Sequence, residues 1–184
     1  MKYCSNCGDR VAQIVPDGDS KARWVCSACD TIHYQNPKIV VGCVPEIDNR
    51  ILLCKRAIGP RQGFWTVPAG FMELGETIAE GAARETLEEA CAEVEIGHLF
   101  ASVDVPHAGQ VHLFFTAKLL GEFAAGHETL EADLFGKDEI PWDEIAFRSG
   151  IFALRKYLDD AGRNNGVHLH ELKRNKFRLQ EDPS

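Results

Sequence analysis

Residues 70–92, GFMELGETIAEGAARETLEEACA, place Glu85, Glu88 and Glu89 at i, i+3 and i+4, so on an α-helix three carboxylates share one side. Like charges at that spacing weaken an isolated helix, so the stretch calls for a compensating cation. Carboxylate oxygens are the donors that Mg2+ or Mn2+ prefer, and such ions complete their coordination with water and substrate phosphates. Thr77 and Glu80 have the T-x-x-E spacing of a capping box, which predicts a helix starting just after Glu76, while Gly70 and Gly75 free the preceding segment to loop. Ala79, Ala83, Thr86, Leu87 and Ala90 form a stripe of mostly small residues suited to packing on a sheet, with the carboxylates facing away from it.

The rest of the chain fits around that helix. Its 184 residues, 45% of them hydrophobic, suit one ordinary domain with a small appendage. A formal net charge of -8 gives no bulk electrostatic reason to bind nucleic acid, so an anionic substrate has to be met locally. No apolar run is long enough to span a bilayer and the start MKYCSNCGDR has no signal-peptide core, so the expected location is the cytoplasm, away from membranes.

Cys4-x2-Cys7, eighteen intervening residues and Cys26-x2-Cys29 have the spacing of a four-thiolate tetrahedral zinc site. Four thiolates leave no open position, so this zinc is structural, and it supplies folding free energy to a segment too short for its own core. His33 is read as a polar neighbour, and Cys43 and Cys54 as buried thiols in strands. KIVVGCVPEI and ILLCKR form a hairpin around Asp48-Asn49; HLFASVDV and QVHLFFTAKLL are further strands; 149–158 is a second amphipathic helix, so that the sheet lies between two helices. The stretch from residue 163 reads as a polar tail with a short alternating piece, VHLHEL, in which a metal pair at His168-x-His170 on a strand is the lesser reading beside a solvated tail.

Gly70, Glu76, Arg84, Glu85, Glu88 and Glu89 fall in the order of the Nudix box, and the chain resembles that family. Thr86 replaces an aliphatic residue, Cys91 replaces the second glycine and Ala92 is a small version of the final aliphatic. YQNPKIVVGC, LLCKR, FWTVPAGFMELGE and DEIPWDEIAF extend the likeness to zinc-ribbon Nudix enzymes of bacteria and plastids that act on ADP-ribose and FAD; the SQPWPFPxS run of NADH pyrophosphatases is absent after Ala92. The resemblance implies an α+β fold, an α/β/α sandwich with a mixed sheet preceded by a small zinc ribbon: 1–35 ribbon, 36–162 Nudix domain, 163–184 tail. It implies Mg2+ (or Mn2+) held by the Ala69 carbonyl, Glu85 and Glu89 with Glu88 beside them, Arg84 orienting the carboxylates through Glu76, and a possible homodimer. It also implies another carboxylate from a later loop, Glu131 with Glu128 as rival.

The expected reaction is hydrolysis of a phosphoanhydride in a small-molecule nucleotide, giving AMP and a second phosphate product. Phe64 and Trp65 are candidates for stacking on a base in competition with core roles, and Arg56 and Arg61 for reaching a phosphate in competition with solvation. Alternatives are NADH pyrophosphatase, a nucleoside triphosphate pyrophosphatase, and a regulator sensing a ligand through a Nudix domain.

Overall fold

The computed structural model describes residues 1–174, in two compact units, Met1–Pro37 and the chain from Lys38 onward. The first is an antiparallel sheet of β1 (Val11–Ile14), β2 (Arg23–Cys26) and β3 (Ile32–His33), in that order. Its buried residues are Cys4 and Cys26 alone, so thiols stand where a larger domain has an apolar core.

The second unit runs β4 (Lys38–Ile47), β5 (Arg50–Arg56), β6 (Trp65–Thr66), β7 (Ala69–Phe71), α1 (Ile78–Ala90), β8 (Glu93–Val105), β9 (Gln110–Leu120), β10 (Thr129–Gly136), α2 (Arg148–Asp160) and β11 (His168–Glu171). The main sheet has the order β10-β5-β4-β9-β8-β11, with β6 added to β5 and β7 to β4. It is mixed, because β4 pairs parallel with β9 and β8 parallel with β11 while the other neighbours are antiparallel.

Strand alternation sends successive side chains to opposite layers. Val41, Cys43 and Phe115 meet Ala82 of α1, whereas Val44 and Phe114 join Ala153 and Leu154 of α2. The sheet therefore sits between two helices, as expected. The β4–β5 hairpin turns at Asp48 and Asn49, both at positive φ, a conformation these residues tolerate. Burial pushes the Cys43 thiol up to about 12 and that of Cys54 still higher, which keeps both as inert core sulfurs.

Three expectations are corrected. β8 begins at Glu93, five residues before the predicted strand, and crosses register shifts between Ile96 and Ala101. Residues 168–171 form an edge strand of the main sheet rather than part of a solvated tail: His168 Nε2 lies 2.9 Å from Asp160, the His170 ring stacks on Phe152, and Leu172 is buried. Residues 175–184 of the predicted tail lie outside the described residues. The third correction concerns α1, whose buried positions are Gly81, Ala82, Glu85, Thr86 and Ala90, while Leu87 is exposed. Its packing face is turned toward the carboxylates, so Glu85 lies at the helix–sheet seam rather than facing away from it.

The departures from the family pattern acquire reasons here. Thr86 replaces an aliphatic residue without leaving an orphan hydroxyl, since its Oγ1 donates to Ala82 O at 2.9 Å and lies 3.1 Å from Cys43 Sγ. Cys91 is the C-cap of α1, in the left-handed region at φ 47°, where a glycine meets no Cβ penalty. Replacing Cys91 by glycine should therefore stabilise the protein by about 0.5–1 kcal/mol, after allowing for glycine's greater freedom when unfolded. A urea midpoint that rises at constant slope is the expected result, and a lower midpoint would contradict the cap assignment. No helix among the described residues is long and apolar enough to cross a membrane.

Candidate active site

The capping box forms as read: Glu80 N donates to Thr77 Oγ1 at 3.2 Å and Thr77 N to Glu80 Oε2 at 2.7 Å. It fixes where α1 starts and thus the rotation of the carboxylates downstream. Arg84 organises them. Its Nε and Nη2 grip the two oxygens of Glu76 at 2.9 Å each, and Nη1 reaches Glu85 at 2.9 Å and Glu88 at 3.1 Å. Its Nη2 also donates to Phe71 O at 3.0 Å, which ties the end of β7 to the helix. Arg84, together with the Glu73 amide, holds the Glu76 carboxyl down at about 2, so Glu76 is an anchor and stays ionised.

Glu89 takes a different partner, accepting from Ala69 N at 3.1 Å. Burial pushes its carboxyl up to about 7 and raises Glu85 as well, the signature of carboxylates held out of water with too little positive charge. Gly70 makes the close approach possible, because a Cβ there would collide with the Glu85 carboxylate. Glu88 is exposed. The donor set suits a hard divalent ion, with Glu85, Glu89 and the Ala69 carbonyl as the residues that would hold it and Glu88 beside them. Among the described residues the carboxylates are not drawn together as the four cysteines are; Arg84 serves as the cation for Glu85 and Glu88.

The loop between β9 and β10 closes the far end of α1. Ala124 N donates to Ala90 O at 2.8 Å and Gly126 N to Glu89 O at 2.9 Å, satisfying carbonyls that a helix end leaves open. A side chain at Gly126 would run into the Glu88 carbonyl. This docking brings Glu128 close enough to raise the Glu89 carboxyl further. Glu131, expected on the same loop, instead lies on β10 and pairs with Lys55 at 3.3 Å.

Trp65 is a core residue, 6% exposed, with Phe135 edge-on at 4.8 Å and the Lys55 ammonium 5.3 Å from its ring centroid, so it offers no free face to a base. Phe64 is half-buried with Arg61 over its ring at 5.1 Å. Arg56 donates to Pro60 O at 2.9 Å and lies 5.0 Å over Phe147, a residue the sequence reading did not single out. Nothing in the spacing of IAFRSG marks Phe147; its neighbour in space is 91 positions away in sequence.

In the N-terminal unit Cys4, Cys7, Cys26 and Cys29 place their sulfurs within 4.8 Å of one another. Tetrahedral zinc with bonds of about 2.3 Å sets sulfurs about 3.8 Å apart. Cys4 and Cys29 stand at 3.7 Å and Cys7 and Cys26 at 3.5 Å, so the four fit that ion. His33 Nε2 lies 3.2 Å from Cys4 Sγ, a neighbour to the sulfur as expected.

An α/β/α sandwich that presents hard oxygen donors beside arginines is equipped for metal-assisted chemistry on phosphate esters and anhydrides. The comparisons give that class a family. The chain belongs to the Nudix hydrolase family: residues 36–155 match the model described as NUDIX domain, and residues 2–35 match the zinc-ribbon model described as Nudix N-terminal. The crystal structure of a NUDIX hydrolase from Nitrosomonas europaea is 53% identical, with a TM-score of 0.88 over 94% of this chain and 99% of that one. A protein of Methanocaldococcus jannaschii named ADP-ribose pyrophosphatase is 34% identical over 119 residues, 62% of this chain and 69% of its own. A Vibrio atlanticus protein named NAD-capped RNA hydrolase NudC is 31% identical over 149 residues, 79% of this chain and 50% of its own, so the chain spans about half the length of that relative.

Proposed function

We propose that this enzyme hydrolyses the diphosphate linkage of a nucleoside diphosphate derivative, ADP-ribose or FAD, to AMP and a second phosphate product, with Mg2+ or Mn2+. The observation that carries the reading is the packing of Glu85 and Glu89 against the β7 corner at Ala69 and Gly70, with Arg56 close enough to Glu89 for its charge to oppose the upward shift. A bound divalent ion supplies charge neutralisation at the phosphate and a water of lowered pKa. Arg84 and Glu76 hold the carboxylates in place, Arg56 offers the phosphate a guanidinium, and Glu128, rather than Glu131, is the further carboxylate able to take a proton from the attacking water. The relative named ADP-ribose pyrophosphatase supports the substrate class. A cytoplasmic homodimer is part of the same reading.

The NudC relatives favour a second reading, hydrolysis of NAD-type dinucleotides, free or at an RNA end. A net charge of -8 does not decide between the two, because both present the same diphosphate to the same local site. Incubation with Mg2+ and, in turn, ADP-ribose, FAD, NADH, an NAD-capped RNA and 8-oxo-dGTP separates them. AMP from ADP-ribose or FAD is the expected product, and consumption of the triphosphate alone overturns the proposal. In the same assay Glu128→Gln should lower kcat about a hundredfold, whereas Glu131→Gln, the loss of an exposed ion pair, should stay within about twofold. Equal effects would remove the distinction between the two carboxylates.

A further inference from the structure

Beyond the carboxylate helix, the described residues gather two arginines and two aromatic rings at the end of β5. Arg56 and Arg61 take part in no ion pair among the described residues, and each guanidinium instead lies over a ring, Phe147 and Phe64 respectively. Arg155 lies over Trp142 in the same way, so a ring under an unpaired guanidinium is not distinctive by itself; what sets Arg56 apart is that its charge also acts on the Glu89 carboxylate, which puts its guanidinium within reach of an anion bound there.

The backbone joins this surface to the carboxylates. Gly126 N is bonded to Glu89 O, Ala57 N to Glu128 O at 2.8 Å, and Arg56 N to Phe64 O at 2.9 Å, so α1, the docked loop and the arginine share one framework. Phe147 is fixed from both sides: Ala146 N donates to Trp65 O at 2.8 Å, and Phe147 O accepts from Ile151 N at 3.0 Å as α2 begins. Its half-buried ring, 5.0 Å from the Arg56 guanidinium, thus hangs from a backbone held on both sides. Arg61 and Phe64 form the comparable pair on the outer loop, where Arg61 is exposed.

A guanidinium prefers a phosphate to a ring face, since it can grip two phosphate oxygens at once. When it does so, Phe147 is left with an aromatic face beside a bound phosphate, which is where a nucleotide carries its base. We propose that Phe147 is the specificity-determining stacking platform for the nucleobase of the substrate, with Arg56 holding the adjacent phosphate. The proposal rests on the reading of α1 as the phosphate-handling face, and it assigns the base-bearing half of the substrate to the β5–α2 side of that face.

Equilibrium binding of AMP and of ribose 5-phosphate, each titrated calorimetrically into the full chain with Mg2+, tests it. Wild type should bind AMP roughly tenfold or more tightly than ribose 5-phosphate. Phe147→Leu, which keeps apolar bulk but removes the ring, should erase most of that preference, and Phe147→Trp should retain it. A preference that survives Phe147→Leu, is lost in Phe147→Trp, or is missing from wild type overturns the assignment. No turnover enters this measurement, so failure of the hydrolase reading itself would show separately, as an unimpaired Glu89→Gln enzyme.

Discussion

Glu89→Gln should lower kcat on ADP-ribose by a factor of about 10²–10³, the loss expected when a metal carboxylate worth several kcal/mol in the transition state is removed. The same substitution should leave the metal-free protein at least as resistant to unfolding as wild type. Glu89 is half-buried and its carboxyl is pushed up to about 7 by that burial, so the charged form is a burden on the fold when no cation is present. Glutamine is neutral, nearly isosteric, and keeps an oxygen to accept from Ala69 N, the one hydrogen bond the Glu89 side chain makes among the described residues. The opposite pairing of effects, full turnover with a collapsed melting temperature, would identify Glu89 as a packing residue and dismiss the metal site. Thermal unfolding in chelator and single-substrate kinetics on one preparation decide between them.

Cys26→Ser should abolish zinc binding, from about one ion per chain to a small fraction, and unfold the N-terminal unit. The magnitude follows from what that unit lacks. Only Cys4 and Cys26 are buried in Met1–Pro37, and its sheet consists of strands of four, four and two residues, so metal–thiolate bonds carry the free energy that side-chain burial supplies elsewhere. Structural zinc sites of this kind contribute roughly 10 kcal/mol or more. The unit from Lys38 onward has its own apolar clusters around Val44, Leu53, Phe114 and Leu154 on one face and Val41, Phe115 and Ala82 on the other. Limited trypsin digestion of the variant should therefore cut first within residues 1–37 while the larger fragment persists. Stoichiometric zinc in purified Cys26→Ser, measured by atomic emission, would refute the four-thiolate assignment.

Some elements were legible because their chemistry is local. The capping box, the i, i+3, i+4 carboxylates, the two cysteine pairs and the 110–120 strand each announce themselves within a few residues, and the structure contains all four. The helix face is legible only in part, since Ala79, Thr86 and Ala90 pack as the stripe predicts and Leu87 does not. A stripe of alanines and leucine looks like the buried side when hydrophobicity is the only criterion, yet Glu85 is buried and Leu87 exposed because Arg84 and the glycine at position 70 make room and charge for a carboxylate. The alternation of VHLHEL marks a short strand piece, but its pairing partner lies 67 positions earlier, at Ala101, so nothing local separates an edge strand from a polar tail.

Sequence by itself determined the available donor chemistry: which side chains can offer hard oxygens, which can offer thiolates, and the order in which a helix and two knuckles present them. That follows from spacing and residue type, which need no tertiary contact to be read. Only the tertiary structure set where the two later carboxylates fall. The docking of Gly126 on the end of α1 places Glu128 where its charge acts on Glu89, while the β5–β10 pairing carries Glu131 toward Lys55. It alone also set Phe147 under Arg56, since a contact across 91 residues depends on how the sheet and α2 close upon each other and leaves no periodic trace in the chain.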